Sequence, residues 1–396
     1  MANESMSESY KSACSDNQIK RNPHIAEVLE KLRADENVTL KLPGNKQRQR
    51  LHDEDAMVLC KCLQNNKCVT GLDLRYNNIS DEGVERLSGL LQEDSSLLSL
   101  DLMFNDILAG GAEILSTVLQ SNTTLRSLAL SGNKLGSRGA VRLAGMLQRN
   151  HSLQELQLAD CDLGVQGVIA LTIALKSNTG LLSLDLSRAL LSSLQEEWAV
   201  HVSEMLVGNS HLVELHLGRM GMTDAGMERL ADGLTSNYSL RYLDLRCNRV
   251  TRDGVSHLAK VLKLNPTLEV VDLSFNRMED EGAVYLSEAI TSPGCGLREL
   301  SVKGNSISAE GLLSLAQATG ANTRLTHLYI WGNHLEEPVC HAFRELMSSG
   351  RLLPEQTDVS VYEVDGRVFL AEAPHSLRRR YNSSRKPTHI QSLPPN

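Results

Sequence analysis

The residues with the best claim to chemistry are three cysteines, Cys60, Cys62 and Cys68, in the run CKCLQNNKC. A structural zinc takes four thiolate or imidazole ligands at close paired spacing. Here Cys60 and Cys62 leave a helix in different directions, its core positions being Leu59 and Leu63, and no fourth ligand stands nearby, so no metal is expected. His216 has no evident partner and reads as an exposed polar residue. No segment carries the spacing of a phosphate loop, a dinucleotide fingerprint, a metalloprotease helix or a nucleophile elbow. The expectation is therefore a protein with no catalytic residues, no cofactor and no small-molecule substrate, which acts by binding.

Binding residues need a frame, and the frame is a repeat. The chain holds 67 Leu but only 14 aromatics, so its apolar content is one aliphatic residue used over and over. The pattern LxxLxLxxNxL recurs ten times, starting at Val69, Leu97, Leu125, Leu153, Leu181, Leu212, Leu240, Leu268, Leu297 and Leu325. The intervals are 28 residues apart from one of 31 and one of 29. Alternation within Leu-x-Leu predicts a short strand buried on one face. About fourteen residues on comes a register glycine (Gly83, Gly111, Gly139, Gly167, Gly226, Gly254, Gly282, Gly311), then leucines four and eight residues later, which share a helical face. Eight glycines in register imply close approach of each helix to the strand layer. Ser80, Thr223, Thr251 and Ser308 are suited to cap helix starts. Stacking such units gives an α/β solenoid, a horseshoe with parallel inner strands and outer helices. The Asn after each strand (Asn77, Asn105, Asn133, Asn248, Asn276, Asn305, Asn333) is placed to bond adjacent turns with both ends of its amide.

The 28-residue unit with a full helix resembles the ribonuclease-inhibitor type of leucine-rich repeat protein, over residues 69 to about 350. That family consists mainly of protein-binding scaffolds and includes the ribonuclease inhibitor, the Ran GTPase-activating proteins and the sensor arms of nucleotide-binding receptors. The resemblance implies a protein partner on the concave face. It also supplies an alternative, GTPase activation with Arg75 on an end repeat; against it, the acidic tail of those activators is replaced here by a basic one. The ribonuclease inhibitor itself is richer in Cys and alternates its repeat length, and this chain does neither.

On the inner face the central strand positions form a broken acidic stripe that includes Asp73, Asp101, Asp185, Asp244 and Asp272. It is flanked by arginines, among them Arg188, Arg219 and Arg246. Six of the 14 aromatics lie on this face: Tyr76, Phe104, Tyr242, Phe275, Tyr329 and Trp331. Arg and aromatics anchor protein interfaces. The candidate partner-binding set is therefore Tyr76, Phe104, Asp185, Arg188, Arg219, Tyr242, Asp244, Arg246, Asp272, Phe275, Tyr329 and Trp331, with acidic steering of the partner. Tyr76, Phe104 and Phe275 immediately precede a ladder Asn, and covering the turn is a competing role for those three.

The remaining segments read as a disordered stretch over 1–20, an N-terminal cap over 21–68 with a helix from Pro23 and a degenerate strand Thr39–Leu42, and a C-terminal hairpin cap over 351–373 around Asp365-Gly366. Residues 374–396 form a basic tail with Arg378, Arg379, Arg380, Arg385 and Lys386 and no acid, against a net charge of -8 for the whole chain. The tail is a candidate nuclear or nucleolar address and a candidate weak RNA contact. The body's negative charge argues against general nucleic-acid binding. Eight Cys without paired spacing, no secretory core and no long apolar run point to an intracellular, non-membrane setting, cytoplasmic or nuclear. The ladder positions Cys161, Ala189 and Met220, with the extra residues near SSLQEEWAVHV, suggest a softer joint around residues 189–222 or a contact site.

Overall fold

The computed structural model describes residues 5–32, 37–64, 66–92, 96–191 and 196–377. The chain divides into two compact units after Cys161. In the first, α1 (Met6–Asp16), α2 (Pro23–Glu30), β1 (Val38–Lys41) and α3 (Asp53–Leu63) precede three strand–helix repeats: β2 (Val69–Asp73) with α4 (Asp81–Gln92), β3 (Ser99–Asp101) with α5 (Ala109–Leu119), and β4 (Ser127–Ala129) with α6 (Gly136–Leu147). The unit ends with β5 (Glu155–Gln157), and its five strands pair in parallel in chain order. The second unit opens with α7 (Val165–Leu175) and continues through β6 (Ser183–Asp185), α8 (Glu197–Gly208), β7 (Glu214–His216), α9 (Asp224–Ser236), β8 (Tyr242–Asp244) and α10 (Arg252–Leu262). Then follow β9 (Val270–Asp272), α11 (Glu279–Thr291), β10 (Glu299–Ser301), α12 (Ala309–Ala321), β11 (His327–Tyr329), α13 (Glu337–Ser348) and an antiparallel hairpin, β12 (Val359–Val364) and β13 (Arg367–Glu372). The strands β6 to β11 are again parallel and in order. Each unit is thus a stack of α/β solenoid repeats, the strand leucines and one stripe of each helix forming its core.

Three side-chain ladders join neighbouring repeats. In the first, each Asn after a strand works as expected: Asn276 donates from Nδ2 to the Leu245 and Leu273 carbonyls, at 3.0 and 2.9 Å, and accepts the Val250 N–H on Oδ1 at 3.1 Å. The second is at the other end of the helix. There Asn122, Asn150, Asn209, Asn237 and Asn265, all buried, each donate to a carbonyl of the preceding repeat and accept two N–H groups of the chain ahead. Asn237, for example, bonds Leu206 O at 2.8 Å and takes the Leu240 N–H at 2.8 Å.

The third ladder is acidic. Asp224 at the start of α9 accepts the Thr251 N–H and hydroxyl, both at 2.7 Å, and the Gly254 N–H at 3.0 Å. Asp53, Glu196 and Asp280 do the same for Ser80, Thr223 and Ser308. Of the expected caps, Ser80 and Thr251 accept an N–H from their own first turn, whereas Thr223 and Ser308 make no such bond and serve only as donors to the preceding carboxylate. This ladder also corrects the reading of the register glycines. A Cβ on Gly83 would lie 2.3 Å from Asp53 Oδ1, and one on Gly254 would lie 2.5 Å from Asp224 Oδ1 and 2.8 Å from Val250 Cγ1. At Gly83, Gly111, Gly226, Gly254 and Gly311 the close approach is to the acid of the preceding repeat, and at Gly139 and Gly282 it is to the preceding helix and the repeat's own entry side chain, rather than to the strand layer.

The ends depart from the repeat. Residues 6–16, expected to be disordered, form α1, which packs on α3. Ser5 and Glu8 make a capping box, and Tyr10, Ala13 and Cys14 give a short buried stripe, enough to hold a polar helix. At the C-terminal end the buried Asp358 accepts the Ile330 and Trp331 N–H groups at 2.8 and 3.1 Å and pairs with Lys303 at 3.1 Å. For the Ile330 N–H it thus takes over the acceptor position that a carbonyl of the following strand fills in inner repeats. Residues 192–195, the centre of the extra segment, and the five basic residues of the tail lie outside the described residues. Trp198, just beyond the extra segment, is buried in the core of its repeat rather than offered as a contact.

Two glycines should respond in opposite senses. Gly145, exposed in α6 with nothing within 4 Å of a built Cβ, should gain about 0.5–1 kcal/mol on change to Ala through helix propensity and a stiffer unfolded chain. Gly254→Ala meets Asp224 and Val250 and should instead lower the urea midpoint, by about 1 kcal/mol or more once the propensity gain is outweighed. A stabilised Gly254→Ala protein would contradict the third ladder.

Candidate protein-binding surface

Each strand ends in a tight turn before the chain leaves for its helix. At five repeats an Asp closes that turn: Asp73, Asp101, Asp185, Asp244 and Asp272 each accept the N–H two residues on, at 2.9 to 3.2 Å. The residue after that N–H has positive φ in repeat after repeat: Tyr76, Phe104, Gly132, Asp160, Arg188, Arg219, Cys247, Phe275, Gly304 and Gly332. Left-handed backbone at a non-glycine residue costs about 1–2 kcal/mol. Gly is the undemanding choice, so Tyr, Phe and Arg stand here against the local preference.

The exposed members of the expected set are concentrated in this left-handed row. Tyr76 and Phe104 are each 40% exposed and stack at 5.0 Å with 7° between their planes. The Phe104 ring in turn covers Gly132, where a Cβ would come within 2.3 Å of it. In the second unit Phe275 is 57% exposed and lies over Gly304 in the same way. Arg188 and Arg219 are exposed in the row, Arg246 is exposed one residue ahead of it, and Trp331 is half-buried. Both roles weighed for Tyr76, Phe104 and Phe275 therefore apply: their rings cover a neighbouring turn and still show a face to solvent.

The rest of the expected set is buried. Asp185, Asp244 and Asp272 are at most 6% exposed, and Tyr242 and Tyr329 are 4% and 3% exposed. The physical reason is crowding: a side chain that points out of a parallel sheet still lies between the side chains of both neighbouring strands. Asp244 receives Arg246 Nε at 3.0 Å and faces His216 Nδ1 at 3.2 Å. The acidic stripe is thus a set of turn-forming groups, and apart from the half-buried Asp101 they are covered by their neighbours.

His216 likewise differs from expectation. It is 1% exposed, its Nε2 lies 2.7 Å from Glu214 Oε1, and it packs at 5.1 Å from the Tyr242 ring. With a carboxylate on each ring nitrogen, the geometry suits the doubly protonated imidazolium, which donates both bonds. Glu214, which the sequence reading passed over, completes the cluster, and its place two residues before His216 on one strand face was the available signal. Burial, with Asp244 adding to it, raises the Asp272 carboxyl above its ordinary range. Among the described residues no group of three or more His, Cys, Asp or Glu is arranged to hold a metal ion, and no helix is long and apolar enough to cross a membrane.

Comparison with known proteins agrees with this architecture. A leucine-rich repeat family model matches residues 65–88, 93–116, 121–144, 149–171, 208–231, 236–259, 264–287 and 296–316. The chain is similar to leucine-rich repeat-containing protein 34 of Rattus norvegicus, with 57% identity over 96% of this chain and 93% of that protein. It is also similar to the protein of the same name from Mus musculus, with 51% identity over the same shares. Among solved structures, leiomodin-1 actin-binding site 2 matches 38% of this chain and 87% of its own, at 19% identity and a TM-score of 0.31.

One carboxylate of the first unit should make the fold's stability depend on pH. Arg75 binds Asp73 through two nitrogens at 2.9 and 2.8 Å and reaches Asp101 only at 3.2 Å. Burial, reinforced by the Asp73 charge and only partly offset by Arg75, pushes the Asp101 carboxyl up to about 7. Between its unfolded value near ~3.9 and that point the folded state holds the extra proton, so stability from this group falls as pH rises through the window. Asp101→Asn keeps the turn acceptor and removes the titration. Its melting temperature should match the parent near pH 4 and exceed it at pH 8; parallel curves would refute the assignment.

Proposed function

The chain belongs to the leucine-rich repeat family, as a relative of leucine-rich repeat-containing protein 34, and on that premise we propose that it is a non-enzymatic scaffold that grips a protein partner along its strand-to-helix edge. The observation that carries this reading is the left-handed row. Tyr76, Phe104, Arg188, Arg219 and Phe275 hold exposed, information-bearing side chains where the backbone favours glycine. Strain of that kind is retained where it serves a site. Arg and aromatic side chains are the residue types that dominate protein interfaces. All eight cysteines are free thiols, which suits a reducing cytoplasmic or nuclear setting. The GTPase-activator alternative gains nothing from Arg75, whose guanidinium is committed to Asp73 and Asp101.

The row provides its own control substitution. Glycine adopts this backbone freely, so Tyr76→Gly, Phe104→Gly and Phe275→Gly remove binding groups while preserving the turn. In co-purification from cell lysate these variants, together with Arg219→Ser, should lose specific proteins that the parent retains, with circular dichroism and melting within a few degrees of the parent. Retention of the same proteins by all four would move the binding surface off this edge.

A further inference from the structure

The two units differ in the charge of this edge. Three positions per repeat form it: the residue before the left-handed one, the left-handed residue, and the one two further on. In the six repeats of the second unit that is eighteen positions, and they hold Arg188, Arg219, Arg246, Arg249, Arg277 and Lys303 with no Asp or Glu. The four preceding repeats carry Arg75 and Lys134 against Asp106, Asp160 and Asp162, the last of these just past the boundary between the units. The five arginines of the second unit are exposed. Arg246 is paired with Asp244 and Lys303 with Asp358, while Arg219, Arg249 and Arg277 make no ion pair among the described residues.

These cations form a track. The left-handed residue of each repeat donates its N–H to the carbonyl of the next repeat's edge: Arg188 to Gly218, Arg219 to Arg246, Cys247 to Ser274 and Phe275 to Lys303, at 2.7 to 2.9 Å. Successive edges are therefore about 5 Å apart, the spacing of parallel strands. Small residues also lie along the edge, and of these Gly221 and Ser306 are exposed. Phe275 lies against Gly304 and presents one ring face.

We propose that this edge of the second unit docks an acidic polypeptide segment, carboxylate side chains on Arg219, Arg249 and Arg277 and an apolar side chain on Phe275. The inference rests on the scaffold reading above and adds the chemistry of the partner. Charge complementarity selects the occupant: Arg219, Arg249 and Arg277 need break no ion pair to be recruited, and Asp244 and Asp272, which would repel an acidic segment, are buried and bonded. A polypeptide fits better than a nucleic acid, because the chain as a whole carries -8 and repels a uniformly dense polyanion, whereas carboxylates interspersed with apolar groups match an edge that mixes Arg with Phe.

The test uses the full-length chain and fluorescein-labelled probes followed by anisotropy: an oligoglutamate peptide interspersed with leucine, an oligolysine counterpart, and oligouridylate. Oligoglutamate should bind and weaken with added salt, and oligolysine should not bind. The combined Arg219→Ser, Arg249→Ser, Arg277→Ser protein should bind oligoglutamate at least about tenfold more weakly, with unchanged melting because all three side chains are exposed. A variant with Arg378, Arg379, Arg380, Arg385 and Lys386 all changed to Ser separates the edge from the tail and should bind like the parent. Undiminished binding by the edge variant, loss that follows the tail variant instead, or tighter binding of oligouridylate through the same arginines would each overturn the proposal. If oligoglutamate fails while Phe275→Gly still sheds lysate proteins, the scaffold stands and only the partner's chemistry is wrong.

Discussion

What the rest of this structure depends on is the need to satisfy the backbone at both ends of every helix. A repeat of about 28 residues turns twice, and each turn leaves N–H and C=O groups that strand and helix cannot use. Left buried and unpaired, such a group costs about 1–3 kcal/mol. The chain meets the demand with short polar side chains at these turns: the Asn after the strand, the Asn after the helix, and the acid at the helix start. Each reaches into the adjoining repeat, so saturation of one repeat's backbone becomes cohesion between two. The leucines supply most of the burial, but they are interchangeable along the stack. The amides and carboxylates set the register.

That division explains why the first Asn ladder and the period could be read directly. They rest on residue types recurring at fixed spacing, and the strand leucines announce their phase. The second ladder was equally periodic, Asn three residues before the first Leu of most repeats, yet Asn beside Ser or Thr resembles any surface turn. Only the Leu206 or Leu234 carbonyl supplied by the preceding repeat distinguishes a buried amide from a solvated one. The helix α1 was hidden for a related reason. Its buried stripe is Tyr10, Ala13 and Cys14, too short for a periodicity argument, and it closes against α3 rather than against a repeat.

The candidate site was legible in part. Alternation along a strand assigns Asp185, Asp244, Asp272, Tyr242 and Tyr329 to the inner face, and all five are buried. It does not predict exposure. In a parallel stack the outward side chain is flanked by its counterparts on both neighbouring strands, and Asp244 between His216 and Arg246 ends at 0% exposed. Exposure begins two or three residues later, where the backbone leaves the sheet. Positions assigned to a binding face by strand alternation are in this chain a second, polar core, and the accessible chemistry has moved to the edge beside it.

The edge has room for varied side chains because its backbone conformation is held by main-chain bonds. At every left-handed position from Tyr76 to Phe104, and from Arg188 to Gly304 in the second unit, the conformation is held by the backbone N–H bonded to the next repeat. The bond is the same whether the residue is Gly132, Arg219, Cys247 or Phe275. It persists at Arg188 and Arg219, where the following ladder position is Ala189 or Met220 and no Asn is present to help. The stack thus imposes one backbone and leaves the side chain unconstrained, except that glycine suits it best. Departures from glycine are consequently residues that the backbone conformation does not ask for, and in the second unit they include Arg188, Arg219 and Phe275 beside a row of further arginines.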